Sequence, residues 1–426
     1  MKQYLTGIDW LVNSLDYTSK AQTGIGNHSQ VVLEFKTTPN DKLLEESLYS
    51  FIQKIPLLHG FTGRAINLCP YWKAPGNKKM LPFWVYTVNI DDDSQYLAPL
   101  AALVNSPFKN RREHLIFTLV NTGQRSFLGL AFDHRVLDAK GAELFLNLFQ
   151  QYYRDRKLPE ISLTSPHHLD HWKEKFLAGK QVNRFLLNLT KTNQRVLPLN
   201  LKNEPAKFGC VHLNSQQSKR FQDAATAQAG YLMLMPYALA KTLQIMHRVF
   251  QEKNIPGEFY LVPVPLDMRT KNQEQKEALF NHFSFFIFKI SVNKINDLPS
   301  LLTEIKAQLY DQVKQKVPEA ITNASFLLRI VSLWMTNFFL NLFFKKCFAS
   351  FYFSFLGNAH QQNKLIEDNI ENIFHLPRTP KPPGIGIYFN QFQDKLNITL
   401  SYFDDLLNEQ QANQITKDLE ALGNEE

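Results

Sequence analysis

The sequence predicts an α+β fold in which two lobes of similar size each consist of a mixed sheet flanked by helices. Its 426 residues suit one large domain or two domains, since domains of about 200 residues are common. Hydrophobic residues make up 44% of the chain and charged residues 20%, which is typical of a globular protein with a large core. Strand and helix patterns alternate over residues 1–160, and the alternation starts again near residue 206.

In the first half, alternation of apolar and polar side chains indicates strands, and apolar spacings of three and four residues indicate helices. We expect strands at Ser29–Lys36, Pro82–Asn89, His114–Val120 and Ser126–Phe132, and helices at Asp41–Ile55, at Ser94–Val104 and from Ala139 onward. The last two strands form a pair across the turn Asn121-Thr122-Gly123.

Residues 161–205 form a predicted connector that contains prolines and one polar helix, Trp172–Leu189. We therefore assign residues 1–180 to an N-terminal lobe and residues 181–426 to a C-terminal lobe. The C-terminal strands are predicted at Phe208–Leu213, Glu258–Leu266, His282–Val292, Cys347–Phe355, Gly384–Phe389 and Lys395–Phe403. The C-terminal helices are predicted at Gln216–Val249 (one or two), Leu298–Lys316, Phe326–Phe344 and Glu409–Leu422.

Charge and cysteine content limit the partners and the compartment. The net charge is +8, but the lysines and arginines are scattered, so we expect no nucleic-acid partner. A basic surface instead favours an acidic carrier protein, a phosphate-bearing co-substrate or anionic lipid. The three cysteines are far apart and odd in number, and residues 1–17 lack a secretory pattern, so we expect a cytoplasmic protein.

The stretch Leu128–Phe145 carries the strongest chemical signal. A predicted strand stops just before a predicted helix, and His134 and Asp138 lie between them. A strand that ends in this way delivers its last side chain into a cleft. Imidazole is the side chain whose pKa suits proton transfer near neutral pH, and Asp138 is placed to hold the turn or to cap the helix.

This strand, His-x-x-x-Asp turn and helix resemble the active-site motif of the thioester-dependent acyltransferase superfamily. That superfamily includes chloramphenicol acetyltransferase, the condensation domains of peptide synthetases, and the wax ester/diacylglycerol acyltransferases. Their motif is His-His-x-x-x-Asp-Gly or His-x-x-x-Asp-Gly. Here Asp133 stands at the position of the optional first His, and Ala139 stands at that of the Gly. The resemblance implies two chloramphenicol-acetyltransferase-like lobes with a channel between them and the histidine in its middle.

Further stretches match the superfamily in order along nearly the whole chain. They are TGIDWLVNSL (6–15), LYSFIQKIPLLHGFTG (48–63), VPVPLDMR (262–269), FNHFSFFIFKI (280–290), FYFSFLGN (351–358) and the closing hairpin at 387–407. Three positions depart from the family pattern: His59 stands for an Arg, Phe280 for a Gly and Phe355 for an Asn. An Asn-Asp pair that is typical of wax synthases is replaced near Gly230.

The resemblance assigns roles to individual residues. His134 is the expected general base, and Asp138 supports it by capping the helix or by pairing with Arg269. Gly141, in the first turn of the helix, also supports the site. Asp133 is either a solvated or capping residue, or a carboxylate that raises the pKa of His134.

Two further residues are candidates for contact with the substrate or with its oxyanion, namely Ser354 and Asn281. Each also has an ordinary interpretation as a polar residue of a strand.

The resemblance implies transfer of an acyl group from a CoA or carrier-protein thioester to a small alcohol or amine. No cofactor is permanently bound; acyl-CoA or acyl-phosphopantetheine is the co-substrate. The alternative is a non-catalytic protein that binds a carrier protein or a lipid-like ligand.

Two other stretches suggest different functions. His167, His168 and His171 have a spacing that metal ligands use, but no second ligand cluster accompanies them, so we expect no metal site. The apolar segment Phe326–Phe344, followed by Lys345 and Lys346, is expected to be a buried helix with one narrow solvent-exposed side. The alternative is peripheral membrane contact through residues 326–346.

Overall fold

The computed structural model describes residues 2–74, 85–92, 95–158, 160–163, 171–190, 193–198, 204–270, 276–336, 338, 349–359 and 370–424. Within these residues the helices are α1 (Gly7–Thr23), α2 (Asp41–Gln53), α3 (Leu97–Val104), α4 (Ala139–Asp155), α5 (Trp172–Thr190), α6 (Ser215–Ala229), α7 (Leu234–Glu252), α8 (Leu298–Lys314), α9 (Val317–Ser325) and α10 (Glu409–Ala421). Short 3₁₀ helices lie at Pro56–His59, Val292–Lys294, Phe326–Ile330 and Leu422–Asn424.

The strands of the first half are β1 (Lys2–Tyr4), β2 (His28–Phe35), β3 (Phe61–Arg64), β4 (Pro70–Lys73), β5 (Val85–Asn89), β6 (Leu115–Asn121) and β7 (Ser126–Asp133). Those of the second half are β8 (Lys207–Leu213), β9 (Phe259–Asp267), β10 (Phe283–Ser291), β11 (Tyr352–Asn358), β12 (Ile370–His375), β13 (Gly386–Phe392) and β14 (Lys395–Tyr402).

Each half is built around its own mixed sheet. The first has the order β12-β2-β7-β6-β5, in which β5 and β6 run parallel and the other neighbours antiparallel. The second has the order β11-β13-β14-β8, with β11 and β13 parallel. A further antiparallel pair joins β9 to β10, and β1, β4 and β3 form a small sheet. The predicted fold class is confirmed.

Two hydrophobic cores correspond to the two sheets. Phe51, Phe117 and Phe145 belong to the first, where α2 and α4 cover the sheet. Tyr237, Phe288 and Ile398 belong to the second, and their side chains are fully buried. Since burial of apolar side chains is the dominant driving force of folding, each half has its own source of stability.

Some elements of one half pair with or pack against elements of the other half. Strand β12 comes late in the chain but pairs with β2, from Ile370 against Phe35 to His375 against Val31. Helix α5 contains the predicted boundary at residues 180 and 181 and packs against α9. The division into residues 1–180 and 181–426 stays a prediction, and these two contacts cross it.

The predicted helix Phe326–Phe344 is interrupted in its described part. The chain forms a 3₁₀ helix over Phe326–Ile330, and Val331 is then extended, with φ −86° and ψ 145°. The chain is helical again at residues 333–336, where Thr336 N donates to Ser332 O at 2.8 Å. Residues 337 and 339–348 lie outside the described residues. Within the described chain, no helix combines the length and the apolar character needed to cross a bilayer.

The other predicted elements are present with shifted ends. No element is predicted from the sequence at α1, α9, β1, β3, β4 or β12. The segment Gln216–Val249 is two helices, because the chain turns at Gly230, where φ is +103°. The strand predicted at Cys347–Phe355 begins at Tyr352, and residues 347 and 348 lie outside the described residues.

Candidate active site

A cavity of about 220 Å³ lies between elements of the two halves. From the first half it is lined by α1, by the start of β2, and by the turn between β7 and α4. From the second half it is lined by β9, β10, β11 and the residues that follow β12. His134, Asp138, Ala139, Arg269 and Ser354 are all in its wall. The cavity lies where the predicted channel would run; a passage open at both ends stays a prediction.

His134 is held by its backbone on both sides. Its N–H donates to Asn27 O at 3.1 Å, and its carbonyl accepts from Asn281 Nδ2 at 3.0 Å. The ring packs edge-on against Phe132, with centroids 5.2 Å apart. These contacts fix the residue at the strand end, where its ring borders the cavity.

Burial lowers the pKa of His134 below its ordinary value of 6.5. The carboxylates of Asp138 and Asp133 act in the opposite direction and raise it, but they do not cancel the effect of burial. The imidazole is therefore mainly neutral at pH 7, which is the form that can accept a proton.

Asp138 is the centre of a hydrogen-bond cluster. As the N-cap of α4, its Oδ1 accepts from Gly141 N at 2.6 Å. Arg269 Nη2 donates to both carboxylate oxygens, at 2.9 and 3.0 Å. His282 N donates to Oδ2 at 2.8 Å. Burial acts to raise the pKa of Asp138, but Arg269 and the other donors hold it below its ordinary value, so the side chain stays ionised.

The structure thus brings Arg269, which is 131 residues away in the chain, to Asp138 and Gly141 at the start of α4. Arg269 Nε also donates to Glu277 O at 2.8 Å, and Nη1 donates to Asp267 Oδ1 at 2.9 Å. A Cβ at position 141 would lie 2.4 Å from Ala278 O, so only glycine fits this first turn. The arginine and the glycine together lock α4 against the second half.

Asp133 is not solvated and does not cap a helix, so that interpretation is wrong. The residue is completely buried. Arg135 donates to it through Nε at 2.9 and 3.0 Å, and His114 Nδ1 lies 3.1 Å from Oδ2. Arg135 also lies 3.4 Å from Asp16 on α1. Asp133 raises the pKa of His134 but does not lift it above its ordinary value, because burial is the larger cause.

Two departures from the family motif have a structural explanation. Ala139 is the first residue of α4 and has no positive φ, so the backbone there does not require the family glycine. Phe280 does occupy a position with φ +69°, where glycine is favoured. Its N–H donates to Val136 O at 2.6 Å, and its ring packs edge-on against Trp72 at 6.0 Å. These contacts offset the backbone strain.

The two candidate substrate contacts lie in different places. Ser354 lines the cavity from β11. Asn281 is outside the cavity wall, and its side-chain amide donates to Asp9 Oδ1 at 3.1 Å and to the carbonyl of His134. Substrate contact by Asn281 is therefore not supported; its contacts position the backbone of His134.

Sequence reasoning missed a second histidine in the cavity wall. His375, at the end of β12, contacts Glu143 Oε1 through Nε2 at 3.0 Å. Lys140 donates to the other oxygen of Glu143 at 2.8 Å. Nδ1 of His375 is buried and has no hydrogen-bond partner in the described part of the chain. The position of His375 depends on the long-range pairing of β12 with β2, which no local sequence motif predicts.

The histidine cluster proposed for metal binding is only partly described. His167 and His168 lie outside the described residues. His171 is exposed, and its Nδ1 lies 3.2 Å from Glu174. Among the described residues there is no group of three side chains able to hold a metal ion.

Comparison with known proteins identifies the fold. No family model matches the sequence, and no curated protein matches it. Solved structures do: the first condensation domain of the calcium-dependent antibiotic synthetase, with a substrate analogue, superposes with a TM-score of 0.72 at 11% identity, covering 100% of this chain and 96% of that one. The trichothecene 15-O-acetyltransferase from Fusarium sporotrichioides gives 0.67 at 11% identity, covering 99% and 95%.

A third structure, the epimerization domain from the third module of tyrocidine synthetase B, gives a TM-score of 0.61 at 11% identity, covering 99% of this chain and 97% of that one. These structures are consistent with the superfamily that the sequence resembles. At this identity the likeness establishes the fold, and function has to be argued from the site. The chain has the two-lobed fold of the condensation domains.

Proposed function

We propose that the protein is an acyltransferase that moves an acyl group from a thioester to an alcohol or amine, with His134 as general base. The observation that carries the proposal is the placement of a neutral imidazole in the wall of a cavity between the halves. The Asp138–Arg269 pair holds the turn that presents it. The neighbours in fold include condensation domains and an acetyltransferase, which supports the same reaction class.

In the proposed reaction, His134 takes the proton of the acceptor O–H or N–H while the oxygen or nitrogen attacks the thioester carbonyl. The tetrahedral intermediate then collapses, the C–S bond breaks, and the thiolate leaving group takes the proton from His134. General-base catalysis of this kind contributes about 10²–10⁴-fold, and holding both reactants in one cavity contributes further.

The developing oxyanion needs a hydrogen-bond donor, and Ser354 is the candidate in the cavity wall. Asp138 is too occupied with Arg269, Gly141 and His282 to accept the proton in place of His134. We assign it a positioning role, together with Arg269, Gly141 and Asp133.

The donor in this proposal is acyl-CoA or an acyl group on the phosphopantetheine arm of a carrier protein. Both enter as co-substrates, so no permanently bound cofactor is required. The net charge of +8 favours either donor, since both carry phosphate and carrier proteins are commonly acidic.

The competing proposal is a non-catalytic protein that keeps the fold to bind a carrier protein or a lipid-like ligand. Its support is the replacement of family residues: Phe355 lines the cavity and stacks on Phe389 at 6.0 Å, and His59 is buried. An acyl-pantetheine that binds in the cavity but is never transferred would favour this alternative.

Peripheral membrane contact is a separate proposal for the segment that follows α9. Ile330, Trp334 and Phe338 are exposed there, at 48%, 61% and 57%. Sedimentation with anionic liposomes tests the contact: the protein should pellet, and Trp334→Ser should reduce the pelleted fraction. Equal pelleting of both proteins, or none, contradicts it.

The main proposal is tested by measuring thiol release from acyl-CoA and acyl-pantetheine donors in the presence of alcohols and amines. His134→Ala should lower the rate about 10²–10⁴-fold while the unfolding midpoint stays close to that of the wild type. His171→Ala, at an exposed histidine, is the matched control and should retain full activity. Undiminished turnover in His134→Ala would remove the assignment.

A further inference from the structure

The cavity wall contains a buried arginine that the proposed reaction does not use. Arg378 is only 2% exposed and follows β12 by three residues. Its backbone N–H donates to His28 O at 3.3 Å, which continues the contact of this segment with β2. Arg378 lines the same cavity as His134.

Arg378 differs from the other cations of the cavity wall in its partners. Arg269 is paired with Asp138 and Asp267, and Lys140 is paired with Glu143. In the described part of the chain, Nε and Nη2 of Arg378 have no hydrogen-bond partner. The guanidinium lies over the ring of Phe403, with Cζ 5.4 Å from the ring centroid.

A buried guanidinium without a carboxylate is unfavourable, because the charge has left water and its donors are unsatisfied. Burial lowers the pKa of Arg378 to about 10, so the side chain still carries its charge at neutral pH. The two unpartnered nitrogens form one edge of the planar guanidinium. Two parallel N–H donors on such an edge match the two oxygens of a carboxylate.

Position distinguishes Arg378 from two other arginines with unpartnered nitrogens, Arg64 and Arg329. Neither of these lines the cavity. Arg64 Nη2 also donates to the carbonyls of Arg329 and Val331, so its guanidinium joins two segments of the chain. Of these three described arginines, Arg378 is the one that lines the cavity with unsatisfied donors.

We propose that Arg378 binds a carboxylate carried by the acyl group or by the acceptor, and so selects an acidic substrate. The role of the acid as a substrate rests on the proposed acyl transfer. The binding of the acid to Arg378 does not depend on that proposal. The phosphate of a pantetheine arm is the other oxyanion available. It lies at the far end of the arm from the thioester, so a thioester beside His134 leaves that phosphate outside the cavity.

The test compares acids with their uncharged amides as ligands for the full chain. Malonate, succinate, benzoate and hexanoate, the corresponding amides, and inorganic phosphate are each titrated against the protein by calorimetry and by thermal unfolding. At least one acid should bind at least tenfold more tightly than its amide. Arg378→Met should remove this preference, and the control Arg248→Met, at an exposed arginine, should keep it.

The unliganded variants provide an independent readout. Arg378→Met should unfold at a higher temperature than the wild type, because it removes an unpaired buried charge and keeps most of the side-chain volume. A merely structural arginine would give a lower unfolding temperature. The proposal is overturned if no acid in the set outbinds its amide, or if the preference survives in Arg378→Met. Phosphate that binds more tightly than every acid, and does so through Arg378, also overturns it.

A failure of acyl transfer gives a different result. The acid titrations are repeated with His134→Ala, in which the carboxylate site is intact. Acid binding there, without turnover in any wild-type assay, would contradict the proposed reaction and leave the carboxylate site standing. Turnover with neutral substrates only, together with no acid binding, would contradict the carboxylate site and leave the proposed reaction standing.

Discussion

The two walls of the cavity differ in whether their buried polar side chains have hydrogen-bond partners. On the wall formed by the turn before α4, Asp138 accepts from three different residues. Asp133, which precedes His134 at the end of β7, is paired with Arg135 and His114. On the wall that follows β12, nitrogens of His375 and Arg378 are buried without a hydrogen-bond partner among the described residues.

The difference separates two tasks. A buried polar network in which every member is satisfied fixes a geometry, because moving any part leaves a charge unpaired. A buried donor without a partner destabilises the fold. At a binding site, a ligand that accepts the missing hydrogen bond offsets this cost. We therefore assign the positioning of His134 to the first wall and the recognition of the substrate to the second.

Removing Arg269 should break the first wall with the largest effect on stability. Arg269→Ala leaves the Asp138 carboxylate buried without its cation, and we expect a loss of about 3–5 kcal/mol in the free energy of unfolding. Urea denaturation measures it. Arg248→Ala, which removes an exposed arginine paired with Asp418, should lose at most about 1 kcal/mol. Equal stabilities of the two variants would show that the Asp138 cluster does not hold the fold.

A smaller change to the same wall is Gly141→Ala. The added methyl group would lie 2.4 Å from Ala278 O, so α4 must shift away from the second half. We expect a loss of about 1–3 kcal/mol in the free energy of unfolding and a lower rate of acyl transfer. Gly123→Ala is the control, because a Cβ there would meet no atom within 4 Å. If both variants behave like the wild type, close packing at Gly141 is not required.

The smallest expected effect comes from changing His375 on the second wall, and it appears in the pH dependence of kcat/KM. His134 must be neutral to act, and its pKa is lowered, so wild-type kcat/KM should fall only below pH 6.5. The charge of His375 is one of the causes that lower this pKa. His375→Gln should therefore raise the pKa of His134 and move the acid limb to higher pH. An unchanged or lower acid limb in the variant would contradict the coupling.

The parts of the site that the sequence predicts are those that are local in the chain. His134, Asp138 and Gly141 lie within eight residues, in a strand, turn and helix whose patterns are clear. Arg269 was reached only through the family resemblance, since 131 residues separate it from Asp138. The short strands β1, β3 and β4 were missed because three or four residues carry too little periodicity.

Residues of the second wall could not be predicted for a different reason. His375 and Arg378 reach the cavity because β12 pairs with a strand more than 300 residues earlier. The sequence around them, ENIFHLPR, carries no motif. The pairing of Asp133 with His114 cannot be predicted from one segment, because His114 directly precedes β6, the strand that neighbours β7 in the sheet.

In the proposed reaction His134, positioned by the cluster around Asp138 and Arg269, takes the proton of the acceptor. A crystal structure with a stable amide analogue of an acyl-pantetheine tests it most directly. We expect the amide carbonyl beside His134, with room for one acceptor atom about 2.6–3.2 Å from the imidazole and about 3–3.5 Å from the carbonyl carbon. A carbonyl bound beside His375 instead, or outside the cavity, would contradict it.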